Sequence, residues 1–132
     1  MHSTLRFVVI AVAFNCIAMP ISAHHSLEET YETDETVSLT GTVSRVSWTN
    51  PHVRLEVQVR NRDGRALIWN VELGPPHAME RRGLARSSIQ LGDEVRIEAW
   101  IALDGSTRAA GRTLILSDGT MFQGASRMWR AG

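Results

Sequence analysis

Histidine is the residue type in this sequence best suited to chemistry, and its placement is uneven. Histidines stand at positions 2, 24, 25, 52 and 77. The pair at 24 and 25 lies in Ile21-Ser22-Ala23-His24-His25-Ser26, where an apolar leader gives way to a polar, acidic segment. Cleavage after Ala23 makes His24 the first residue of the mature chain. A histidine at a free amino terminus can chelate one metal ion through its α-amino and imidazole nitrogens. A further imidazole then completes a T-shaped nitrogen set that suits copper, with another transition metal such as zinc as the alternative. His25 and His52 are the imidazoles expected to join it, with Asn50 or Trp48 orienting His52 from behind. His77 is a further candidate ligand. The bland readings are a solvated terminus for His24 and His25, a turn cap for His52, and backbone hydrogen bonding beside a helix start for His77.

The leader itself reads as a signal peptide. Arg6 supplies the positive start, Phe7 to Met19 the apolar run, and Ala23 the small residue at the cleavage point, with Ala18 as a competing one. Asn15 and Pro20 interrupt the run, which is too short to span a bilayer well. The organisation expected is therefore a signal peptide over 1–23, an N-terminal arm over 24–35, one β-domain over 36–122 and a frayed tail over 123–132, in a periplasmic or secreted protein. Of the 132 residues, the only cysteine, Cys16, leaves with the leader, so no disulfide staples the domain. The formal net charge is +0 and the pI near 7.0, so no basic field exists to attract nucleic acid.

The elements that must position these residues follow from a period of two. Val37, Leu39, Gly41 and Val43 share one parity, whereas Val46 and Trp48 share the other, as in a strand bulged or bent near its glycine. After the Asn50-Pro51 turn, Val53, Leu55, Val57 and Val59 alternate with charged and polar residues. Asn61 to Arg65 makes a hairpin loop. Leu67, Trp69, Val71 and Leu73 then share a face. Pro76 and Gly83 bracket a short helix, and Val95, Ile97, Ala99 and Ile101 alternate along a further strand. Arg112 to Ser117 forms the next strand, and Asp118-Gly119 opens a short hairpin. This order predicts an all-β fold, a small OB-fold-like antiparallel Greek-key barrel of five to six strands with one short helix between strands three and four. A six- or seven-stranded antiparallel barrel is the alternative.

Taken together, the His24-His25-Ser26 start, Gly41-Thr42-Val43, Trp48-Thr49-Asn50-Pro51-His52, Trp69-Asn70-Val71-Glu72 and Leu91-Gly92-Asp93-Glu94-Val95 give the chain a resemblance. It resembles an uncharacterised family of small exported bacterial proteins, a domain of unknown function. The resemblance implies export and a β-barrel and no known activity.

Other chemistry is poorly served. Phosphate loops, nucleophile elbows, C-x-x-C and H-E-x-x-H are missing, so no catalytic constellation is recognisable and the chain reads as a binding protein, not an enzyme. Among the four tryptophans, Trp69 has core parity, Trp48 ends a strand, and Trp100 has the parity of the charged residues and is the candidate exposed platform. Two functions follow as expectations. One is a metal-binding module using His24, His25, His52 and His77. The other is a metal-free module that binds a protein or oligosaccharide on the face carrying Trp100, with Trp48 and Asn50 as further partner-binding candidates. The partner, a protein or small ligand in the periplasm, is unspecified, and no membrane span is expected after signal cleavage.

Overall fold

The structure, a computed structural model, describes residues 30–125. The leader, His24, His25 and the tail beyond Ala125 lie outside the described residues. Six strands form: β1 Val37–Trp48, β2 Val53–Arg60, β3 Ala66–Glu72, β4 Glu94–Ile101, β5 Arg108–Leu116 and β6 Met121–Gln123. A short helix, α1 Pro76–Arg81, and a 3₁₀ turn at Arg86–Ser88 separate β3 from β4. Pro76 fills the first helical turn, where no amide hydrogen is needed, and Gly83 takes φ +91° just past its end.

The strands pair in the order β3-β2-β1-β4-β5-β6, and β3 also pairs with β5, which closes a ring of five. The expected small barrel with its helix after β3 is present. One detail differs: the β3–β5 pairing is parallel, so the barrel is mixed and not wholly antiparallel. The reason is geometric, since an odd number of strands cannot alternate direction all the way around a closed ring.

A single strand, β1, serves two neighbours. Residues 37–42 pair with β4 and residues 41–48 with β2. Val43 faces Val57 and Arg45 faces Glu56, which leaves Ser44 as the extra residue of a bulge. This bulge is the source of the parity change, because it lets Val43 on one side and Val46 and Trp48 on the other all turn toward the core. The interior is filled by Leu55 and Val57 of β2, Val71, Ile97 and Leu114, with Met79 of α1 and Leu84 after it. Burial rises along β3 from Leu67, 38% exposed, to Val71 at 0%, since only residues 70–72 are covered by β5.

The ends of the chain differ from expectation. Residues 30–33 were to be part of a free arm, yet Tyr31 bridges Ala102, the Glu32 amide donates to the Ile101 carbonyl at 2.9 Å, and the Leu103 amide to Thr30 at 3.0 Å. The tail was expected to fray from Gln123, yet Gln123 ends β6 and the Gly124 and Ala125 amides donate to Arg112 and Gly111. Together these ends bury Trp100, which is 3% exposed, in a second cluster with Tyr31, Ala102, Ala110 and Ala125. Trp100 does point out of the barrel, as its parity requires, but it is not a platform. The outer face there is covered by the two chain ends.

Two outcomes follow for stability. A Cβ at Gly41 would lie 2.2 Å from the Gln58 carbonyl oxygen, a backbone atom that cannot swing aside. Gly41→Ala is therefore expected to cost about 1–3 kcal/mol or more, read as a lower midpoint in denaturant. Trp100→Ala is expected to cost about 3–5 kcal/mol. A midpoint unchanged by the latter would mean that the chain ends do not cover this face.

Candidate functional site

One row of residues crosses the outside of the barrel. Ser47 pairs with Arg54, Arg54 with Glu72, Glu72 with Ala110, and Ala110 with Trp100. Side chains paired in this way project from the same face. Glu72 therefore has a cation on one side and, on the other, the small Ala110, with the Tyr31 ring packed into the same cluster as Ala110 and Trp100.

The Glu72 carboxylate gathers three donors. Its Oε1 meets His52 Nδ1 at 2.5 Å and Arg54 Nη2 at 3.4 Å, and its Oε2 accepts from the Tyr31 hydroxyl at 3.1 Å. A carboxylate accepts only, so the His52 proton in this contact sits on Nδ1. The His52 and Glu72 side chains are 11% and 19% exposed, whereas Arg54 is 57% exposed. The arginine contact is long and wet and contributes little, and the histidine contact is short and sheltered.

The chain turns at Asn50 and Pro51, joined by a cis peptide bond, and enters β2 at Val53. Val53 then points inward, fully buried, which leaves His52 on the side shared by Arg54 and Glu72. Glu72, not among the residues expected to orient His52, makes the short contact with its ring. Asn50 is exposed at the turn. Trp48 is half-buried against the main core, and its indole Nε1 is buried without a hydrogen-bond partner among the described residues. His77 is exposed on α1, and Trp100 packs in the same cluster as Tyr31. His24 and His25 lie outside the described residues. Among the described residues no group of three or more His, Cys, Asp or Glu is arranged to hold a metal.

Sequence reasoning singled out His52 and missed Tyr31 and Glu72 as its company. Arg54 is one of the charged residues that alternate with the core positions of β2, and its exposure fits that place. The available signal for Glu72 was its parity: it lies between Val71 and Leu73, both core residues, and so must face outward.

Tyr31 carries a clean spectroscopic reporter, since it is the only tyrosine in the chain. Burial first, and then the negative charge and hydrogen bond of Glu72, push its hydroxyl up from the usual 10.0 to about 12. Arg108 and Arg54 act weakly in the opposite direction. A raised folded-state value means that the native protein holds the proton more tightly than the unfolded chain. The associated stability is complete below pH 10 and is lost as the pH rises from there through about 12. Phenolate absorbance in the native protein is expected to titrate near the upper value. In Glu72→Gln the midpoint is expected to fall only part of the way back, because burial persists. A native midpoint at the free-tyrosine value would show that Tyr31 is not docked on Glu72.

No curated protein and no solved structure matches the chain. A family model does match, over residues 12–111, a span that takes in β1 to β4, part of β5, and with them His52, Arg54, Glu72 and Tyr31. The chain belongs to that family, described as a family of unknown function (DUF6152).

Proposed function

We propose that this protein is an exported metal-binding protein whose mature chain begins at His24 and whose ligands are the His24 amine and imidazole, His25 and His52. Copper suits such a nitrogen set best, with zinc the other candidate. The observation that carries the reading is the His52–Glu72 contact. Metal-ligating histidines almost always give their other ring N–H to a carboxylate or carbonyl, which fixes the tautomer and aims the ligand nitrogen. The contact with Glu72 engages Nδ1, so Nε2 is the ring nitrogen this reading assigns to the metal.

Chain reach supports the same set. Tyr31 and His52 both contact Glu72, and His24 stands seven positions before Tyr31. Seven extended residues span at most about 23–25 Å, enough for the amino terminus to return to His52. Binding, and not catalysis, is the activity proposed, in the periplasm or outside the cell. Among the described residues no helix is long and apolar enough to cross a membrane. The metal-free reading on the Trp100 face loses its platform, since that indole is buried.

Native mass spectrometry of the protein exported to a periplasm, purified without tag or chelator, tests this directly. The expected species starts at His24 and retains one copper, and His52→Ala is expected to weaken copper binding by about tenfold or more, equivalent to at least about 1.4 kcal/mol. A mature mass that starts elsewhere, or a His24 start that stays metal-free when copper is supplied, overturns the proposal.

A further inference from the structure

We propose that the uncovered half of β3 is a dimer surface, to which a second copy of this chain adds its own β3 as an antiparallel strand, Leu67 against Leu67. The proposal draws on no metal and goes beyond the reading above. β3 pairs with β2 along its whole length, whereas β5 covers only residues 70–72. The Asn70 amide donates to the Thr107 carbonyl, so the polar groups of residue 70 point away from β2. Directions alternate along an antiparallel strand, and the N–H and C=O groups of Ala66 and Ile68 therefore point the same way. Among the described residues no backbone partner reaches them on that side. Native proteins blunt such an edge with charge, proline or a bulge. The segment Ala66-Leu67-Ile68-Trp69 carries none of these, and its Leu67 and Ile68 are 38% and 41% exposed.

The edge complements itself in one register. With Leu67 opposite the partner's Leu67 on a two-fold axis, Ala66 faces the partner's Ile68, and each gives its N–H to the other's carbonyl. Every free polar group of the edge is then used. The same register sets the exposed Arg65 opposite the partner's Trp69, where a guanidinium is attracted to the indole ring. Asn70 meets the partner's Gly64, a position with open space around it. Placing Ile68 on the axis instead would oppose Ala66 with Asn70, whose N–H is already given to Thr107. A foreign strand would meet the same backbone, but a second copy also brings an arginine to the indole and a leucine to Leu67. A strip this short belongs at the small end of protein interfaces, so the dimer dissociates on dilution.

The test follows the exported protein, stripped of metal by a chelator, in sedimentation velocity from about 1 μM to about 1 mM, a span that brackets weak association. A monomer that gives way to a dimer is expected. Leu67→Lys sets like charges against each other on the axis and is expected to weaken the dimer about tenfold or more. Ala66→Pro deletes an N–H that β2 does not use, at the first residue of the strand, and carries the same expectation should the lysine variant fail to fold. Cysteine cross-linking reads the register. Made together with Cys16→Ser, Leu67→Cys is expected to form an intermolecular disulfide under mild oxidation, since opposite residues of a non-hydrogen-bonded pair have Cα atoms about 4.5 Å apart. Ile68→Cys, which faces Ala66, is expected to cross-link far less. A monomer at every concentration, a dimer that both edge variants leave unchanged, or equal cross-linking of the two cysteine variants overturns the proposal. A monomer that instead captures an extended apolar peptide overturns the second copy as the occupant of this edge.

Discussion

Three residue pairs close the barrel: Asn70 with Arg108, Val71 with Ala109, and Glu72 with Ala110. Without them β3 and β5 would each present an open edge of unpaired amides and carbonyls, and inward residues such as Val71 and Leu114 would face solvent through the gap. Closure also decides what lies beside Glu72. A parallel pairing at this register places a methyl group next to a carboxylate, and that inequality in size creates the seat in which Tyr31 packs. The Tyr31 side of the site is downstream of this short seam.

Small residues allow the seam to carry a second layer. A Cβ on Gly111 would lie 2.7 Å from the Leu73 Cδ2, and one on Gly124 would lie 2.1 Å from the Gly111 carbonyl oxygen. Backbone can therefore run directly over backbone here, and the chain past β6 settles on β5 through the Gly124 and Ala125 amides. Arg82 holds it from the other side, donating to the Gly124 carbonyl at 2.5 Å. Covering the outside of a barrel makes a second apolar cluster, and burial there obliges the Tyr31 hydroxyl to find an acceptor. Glu72 is the acceptor its register supplies.

How much of this could be read beforehand depended on the range of each interaction. Alternation alone placed β2 and β4, Pro76 and Gly83 marked the ends of α1, and the parity change in β1 signalled the bulge at Ser44. The parallel closure was implied by an odd strand count but not drawn from it. Trp100 had its direction right and its exposure wrong, because direction is a local property of a strand and cover is not. The segment Ser26 to Glu35 lacks any apolar period, so nothing in it announced that Tyr31 would dock against residues far along the chain. For the site, histidine chemistry was visible as a residue type, whereas the Glu72 contact depends on the β2–β3 register. Fixing the Asn61–Arg65 loop sets Arg54 opposite Glu72 and brings His52 alongside, so that contact was within reach of counting.

A buried, hydrogen-bonded network invites the explanation that it exists only to satisfy its own polar atoms. Here the structural and functional accounts do not compete, because the choice of donor separates them. Glu72 needs donors, and an arginine already stands opposite it with charge to spare. A tyrosine hydroxyl occupies the second oxygen. If satisfaction were the sole requirement, Asn or Gln at position 52 would serve with less dependence on protonation. Histidine differs from all of these donors in keeping a second ring nitrogen whose state is set by the first. A histidine whose Nδ1 is committed to a sheltered carboxylate therefore has its ring orientation fixed by the same carboxylate that accepts from the incoming chain.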